Sequence, residues 1–297
     1  PVRAGALNCA LGSIANPRAA VDVAFSPMLD RWRGGAVVAT GAILSNGYGA
    51  ASMRGRFSLD GNKEDSDGRV TVALEKVRTG GIENLLTGFE ATPVGPILPA
   101  LRRAIGAAAQ HLDVDASLHF ASNRAGRMLH IAPLTIRSSS GAQLELASSG
   151  QGGIGWRWPN GGVILDGKVS LSGGGFPEAI LRARRTATGF DGKYSMEPYV
   201  VPGARLAMDP VSFDAKGFET RGRVDGPLAG GRIEGLDLPL QVRTGKEGLA
   251  VNPSCFPLSF TRLSIAGTRF DSTKLRLCPI GGALFRRLPD GRIGGGA

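Results

Sequence analysis

Short runs in which apolar and polar residues alternate one for one recur along the whole chain, and this period of two constrains the fold more than any other feature. Phe57 and Leu59 alternate with Ser58 and Asp60, and Val70, Val72 and Leu74 with Thr71 and Ala73. Val114, Ala116, Leu118 and Phe120 alternate with Asp115, Ser117 and His119, and the later runs include Leu236-Leu238-Leu240-Val242, Leu258-Phe260 and Leu275-Leu277. Successive side chains on a β-strand point to opposite faces, so each run reads as a strand with one dry and one wet side. Between the runs stand Asp60-Gly61, Asp67-Gly68, Asp166-Gly167, Asp191-Gly192, Asp225-Gly226 and Asp290-Gly291, with Asn46-Gly47 and Asn160-Gly161. Glycine supplies the positive φ of primed hairpin turns, so these dipeptides are expected to be the turns. Strands joined this way pair antiparallel with their sequence neighbours, which makes a long meander.

One stretch departs from the period. From Val94 onward Ile97, Leu98, Leu101, Ile105, Ala108 and Leu112 follow helical spacing while Arg102, Arg103 and Gln110 face away. An amphipathic helix is expected there, its body beginning near Pro99, where a missing amide does least damage. A shorter helix is expected over Gly81 to Phe89, giving a helical insert over about 81–112, and a third over Phe176 to Arg185. The long helix reads better as a lid on a sheet than as an interfacial membrane helix, because its polar face is poor in Lys and Arg. The glycine-rich stretch Ser148 to Gly155 marks a soft break.

Chemistry is sparse. With 297 residues, 42% of them hydrophobic, the chain is long enough to bury apolar surface and is not expected to be disordered. The net charge of +10 suits an anionic partner, but the arginines are spread out and lack the interleaved aromatics of single-strand binding, so a solvated basic surface is the better reading and no nucleic acid is expected. Gly150-Gln151-Gly152-Gly153-Ile154-Gly155 has dinucleotide-loop spacing, yet it leads into the strand-like Trp156-Arg157-Trp158-Pro159 rather than a helix. Gly162 to Lys168 mimics a phosphate loop but has Val169 where a hydroxyl must reach magnesium. Neither HExxH nor GxSxG occurs, and His111, His119 and His130 accompany no nucleophile motif. The expectation is no enzyme, no cofactor and no metal. Of the three cysteines, Cys255 and Cys278 each border an apolar run beside a proline, and two readings stand: a disulfide in an oxidising compartment, or two buried thiols. Nothing near Pro1 resembles a leader, and the chain is expected to be a segment of a longer protein.

A sheet with one apolar face must cover it with a second sheet, with helices, or with an apolar ligand. In the third case a curved face becomes a groove holding acyl chains by non-directional burial, at roughly 25 cal/mol per Å². The C-terminal part, from Val224-Asp225-Gly226-Pro227-Leu228 through Ile233-Glu234-Gly235-Leu236 to Ser254-Cys255-Phe256-Pro257 and Leu275-Arg276-Leu277-Cys278-Pro279, resembles the YdbH-type proteins of the AsmA-like group of Gram-negative bacteria. The resemblance implies a mainly β, open-groove (β-taco-like) periplasmic protein, anchored to the inner membrane through an N-terminal segment outside this chain. It further implies carriage of phospholipid acyl chains between inner and outer membranes, with an outer-membrane partner protein. Groove-lining positions expected are Leu118, Phe120, Leu206, Met208, Val211, Phe213, Leu236, Leu238 and Leu240. The competing expectations are a TamB-like scaffold for outer-membrane protein assembly and a surface adhesin or autotransporter-type structural β protein.

Overall fold

The computed structural model describes residues 1–10, 12–45, 48–79, 93–148, 153–159, 162–186, 189–228, 230–245, 248–288 and 291–296. The chain divides into two compact units, Pro1–Glu83 with Ala104–Gly174, and Asn84–Arg103 with Gly175–Ala297. Both are mainly β, and every strand pairing between described residues of either unit is antiparallel.

In the first unit the strands are β1 (Val2–Arg3), β2 (Ala6–Cys9), β3 (Gly12–Ala15), β4 (Arg18–Phe25), β5 (Arg31–Thr40), β6 (Ile43–Ser45), β7 (Tyr48–Ala50), β8 (Ser52–Asn62) and β9 (Ser66–Val77). After the helix α1 (Ile97–Ala109) come β10 (Leu112–Asn123), β11 (Gly126–Ser138), β12 (Gln143–Ser148), β13 (Ile154–Trp158) and β14 (Gly162–Ser172). Pairing runs β1, β4, β5, β8, β9, β10, β11 in order. The edge of β11 is then shared by β12 and β13, both of which pair with β14. Strands β2, β3, β6 and β7 form a small sheet of their own.

The second unit has β15 (Ala179–Thr186), β16 (Gly189–Met196), β17 (Tyr199–Val201), β18 (Ala204–Met208), β19 (Val211–Asp214), β20 (Gly217–Leu228) and β21 (Gly231–Gly245). It continues with β22 (Gly248–Val251), β23 (Phe256–Phe260), β24 (Arg262–Ile265), β25 (Thr268–Phe270), β26 (Thr273–Leu277), β27 (Phe285–Arg287) and β28 (Ile293–Gly294). Its longest ladder joins β20 to β21, with a register shift between Val224 and Gly226.

Helix α1 begins two residues before Pro99 and ends before Leu112, which is the first residue of β10. Ile97, Leu98 and Ala104 are buried, while Pro99, Arg103, Ala107 and Gln110 make an exposed stripe at helical spacing. Its C-terminal carbonyls are satisfied from the sheet of the first unit: the Ser138 hydroxyl donates to Ala108 O at 3.1 Å and the Thr79 amide to Ala109 O at 3.3 Å. The shorter helix expected over Gly81 to Phe89 lies outside the described residues, as do Asn46-Gly47 and Asn160-Gly161. The helix expected over Phe176 to Arg185 is instead strand β15, in which Leu181 and Ala183 turn inward and Arg182 and Arg184 turn out. Apolar residues at Ile180, Leu181 and Ala183 fit either period, and pairing with β16 along the whole strand decided for the sheet.

The five described Asp-Gly dipeptides expected as turns all lie inside strands, and this is the largest correction to the sequence reading. In each, the aspartate is on the wet face and the glycine on the dry one, where a neighbour occupies the space a Cβ would need. Trp32 lies over its cross-strand partner Gly61, Leu59 over Gly68 and Phe213 over Gly192, each within 2.6 Å of where the Cβ would be. The aspartates bond across strands: Asp60 with Arg33 at 2.6 Å, Asp67 with His119 at 2.6 Å and Asp191 with Arg184 at 2.9 Å. Two of the described hairpin turns use a different signal, Asn or Asp three residues before a strand-opening Gly. Asn123 Oδ1 accepts the Ala125 amide before Gly126, and Asp214 Oδ1 accepts the amides of Lys216 and Gly217.

Gly226 is the tightest of these glycines, since its Cβ would stand 1.8 Å from the backbone carbonyl oxygen of Pro93. Gly226→Ala is therefore expected to destabilise the second unit by about 1–3 kcal/mol in urea denaturation. Gly245→Ala, where no atom lies within 4 Å, is the control and should leave the midpoint within about 0.5 kcal/mol of the parent.

Candidate functional site

Cross-strand register turns the alternation of the first unit into a two-dimensional surface, because residues directly opposite each other on antiparallel strands share a face. One row runs Val21, Ala36, Phe57, Val70, Leu118, Ile131, Ile154, Leu165 from β4 to β14. The next, two residues along every strand, runs Val23, Gly34, Leu59, Gly68, Phe120, Leu129, Trp156, Val163. On the other side of the first row lies Ala19, Val38, Gly55, Val72, Ala116, Leu134, Leu146, Val169. Beyond that stands Thr40, Met53, Leu74, Val114, Ile136, Leu144, Leu171. Eight strands at about 4.8 Å and eight residues of strand at about 3.3 Å make a face of about 34 by 26 Å, or about 900 Å². A monomer's largest exposed apolar patch is ordinarily about 300–600 Å².

Much of that face meets water. Val21 is 68% exposed, Val23 53%, Leu59 39% and Trp156 41%, while Leu118 and Phe120 are half-buried. Among the described residues no large side chain is fully buried. The exposed members belong to the rows of Val21 and Val23, whereas Leu146 and Thr40, in the other two rows, are only 3% and 9% exposed.

The opposite face of the first unit is wet and carries cross-strand ion pairs. Besides the aspartates above, Arg54 pairs with Glu75, and Arg137 with Asp115 at 3.4 Å. These exposed pairs contribute little stability, on the order of 0–1 kcal/mol each, and serve to keep that face in water. His119 and His130 stand opposite each other on it with ring centroids 5.0 Å apart. Burial, and then the neighbouring His119, hold His130 below the usual imidazole range.

The second unit repeats the arrangement. On β20 Phe218, Thr220, Gly222, Val224, Gly226 and Leu228 face one way and Glu219, Arg221, Arg223 and Asp225 the other. Leu206 is opposite Val224, itself opposite Leu236; Met208 is opposite Gly222, itself opposite Leu238. Phe213 is opposite Phe218, Val211 opposite Tyr194 and Leu240 opposite Thr220. All seven positions expected from sequence in this unit therefore share one face. This face is better covered than that of the first unit, with Val211 only 5% exposed and the others half-buried. Burial also pushes the Tyr194 phenol up. The charged face carries Arg221–Asp237 at 3.3 Å, Arg223–Asp209 at 3.1 Å and Arg243–Glu219 at 3.0 Å.

Cys255 and Cys278 are joined by a disulfide. They stand one step beyond the last pair of β23 and β26, Phe256 opposite Leu277, so the ladder itself brings them together. Cys9 is a free, exposed thiol. Among the described residues no group of three or more His, Cys, Asp or Glu is placed to hold a metal ion, and no helix is long and apolar enough to cross a membrane.

Sequence reasoning placed only Leu118 and Phe120 on the broader face and missed Val21, Val23, Ile154 and Trp156 as its members. Alternation marked many of these residues as strand, but membership of a shared face needs the register. No family model, curated protein or solved structure matches the chain.

Proposed function

We propose that this protein holds phospholipid acyl chains on the apolar face of its sheet, as a periplasmic segment of an AsmA-like, YdbH-type carrier moving lipid between inner and outer membranes. The observation that carries the reading is the face of the first unit, eight strands wide and apolar along four consecutive rows, whose rows of Val21 and Val23 are partly exposed. In this reading the face is the floor of an open groove, and the second unit contributes a floor of its own through Leu206, Met208, Phe213, Leu236, Leu238 and Leu240. Each buried methylene contributes about 0.8 kcal/mol without any directional demand. An acyl chain can therefore shift from one row to the next at little net cost, which is what carriage along a surface requires. The work needs no catalytic group and no cofactor.

Native mass spectrometry of the chain, purified from a Gram-negative host and followed by solvent extraction, tests the proposal. Phospholipid at about one molecule per chain or more is the expected result. A chain that emerges free of lipid and takes up none from vesicles sinks it, and capture of an extended apolar peptide instead turns the reading toward a TamB-like scaffold.

A further inference from the structure

Among the described residues, the apolar face of the first unit carries a single charge, Arg127. At the end of its four apolar rows stands a fifth, in which successive cross-strand partners are Trp32, Gly61, Ser66, Ser122, Arg127 and Trp158. Arg127 is exposed, and its guanidinium has no ion-pair or hydrogen-bond partner among the described residues. On the opposite face Arg33, Arg54 and Arg137 are paired with carboxylates, while Arg56 and Arg69, like Arg127, have side chains without such a partner among the described residues. Arg127 has Ser122 directly opposite on one side and Trp158 on the other. Trp158 and Trp156 in turn stand together on β13 with ring centroids 6.5 Å apart.

This row has the composition of a boundary between oil and water. Tryptophan favours sites where its ring is dry and its N–H is wet, and a guanidinium offers a planar fork of donors matched to phosphate oxygens. From Gly61 to Met53 along β8 the face extends about 26 Å, longer than the roughly 15 Å of hydrocarbon in one leaflet. A lipid whose polar end rests on the Arg127 row therefore has room to lay its acyl chains wholly on the uncharged rows. An unpaired cation at one end of such a face complements an amphiphile with an anionic head, and gives nothing to an uncharged acylglycerol.

We infer that Arg127, with Ser122 and Ser66 beside it, receives the phosphate of a phospholipid and so sets which way the lipid lies on the face. The inference rests on the acyl-chain reading above and adds a polarity and a headgroup preference to it.

Equilibrium binding of dioctanoyl phosphatidate and of dioctanoylglycerol to the full chain separates the two. The parent protein is expected to prefer phosphatidate by about tenfold or more, the scale of one hydrogen-bonded charge. Arg127→Leu is expected to bring the preference close to unity with dioctanoylglycerol binding unchanged, and Arg127→Lys to keep part of it. A preference that survives in Arg127→Leu, or equal binding of both lipids by the parent, overturns the headgroup role and leaves acyl-chain binding standing. Loss of both lipids in Arg127→Leu likewise overturns it, since Arg127 would then be supporting the face itself. Binding of neither lipid by the parent overturns this inference and the acyl-chain reading together.

Discussion

A glutamate in place of Leu59 is expected to strip lipid from the protein while leaving it folded. Leu59 lies in the second apolar row between Gly34 and Gly68 and is already 39% exposed, so a charge there remains hydrated in the free protein. Beneath an acyl chain the same carboxylate must be dehydrated or protonated, a penalty of at least about 3 kcal/mol. Retained lipid should fall by about a hundredfold, read by native mass spectrometry at matched protein concentration. Ser58→Glu is the control: Ser58 is the adjacent residue and points to the wet face opposite Arg69, so lipid load should not change. Unaltered circular dichroism in both variants confines the effect to binding. If Leu59→Glu keeps its lipid, the face is not where the acyl chains lie.

Reduction of the Cys255–Cys278 disulfide is expected to lower the melting temperature of the second unit by about 10 °C. The bond closes a loop across a sequence separation of 23, which in the chain-entropy model contributes roughly 3 kcal/mol by restricting the unfolded chain. Its ladder presents Phe256 and Phe260, each only 6% exposed, so a loosened β23–β26 hairpin also uncovers two buried rings. The comparison is a thermal melt with and without a phosphine reductant, with free thiols titrated alongside. With Cys9 free from the outset, the titre should rise from about one to about three per chain. Three reactive thiols and an unchanged melting curve would deny the bond any stabilising role.

Much of the local architecture was legible in the residues. The alternation through Val114 to Phe120 predicts β10, the helical spacing from Ile97 to Ala108 predicts α1, and the apolar positions from Leu206 to Leu240 fall on one face. Asp-Gly was misleading because a glycine has two uses. It supplies positive φ in a turn, and it vacates space beneath a large neighbour inside a strand; Trp32 over Gly61 and Phe213 over Gly192 are of the second kind. Which use applies depends on a residue about twenty to thirty positions away, and a dipeptide holds no record of it. The turn signal of Asn123 to Gly126 was present but spread over four residues, where the pattern sought was a dipeptide.

Taken alone, the sequence determined that this chain makes strands with one dry and one wet side, because the orientation of successive side chains is a property of each residue and its immediate neighbours. Only the tertiary structure decided that the dry sides of β4 through β14 lie in continuous rows, that the rows of Val21 and Val23 are partly exposed, and that Arg127 stands at one end of them. Register and covering depend on contacts between residues far apart in the chain, and alternation is the same whether a dry face meets a second sheet or is left bare.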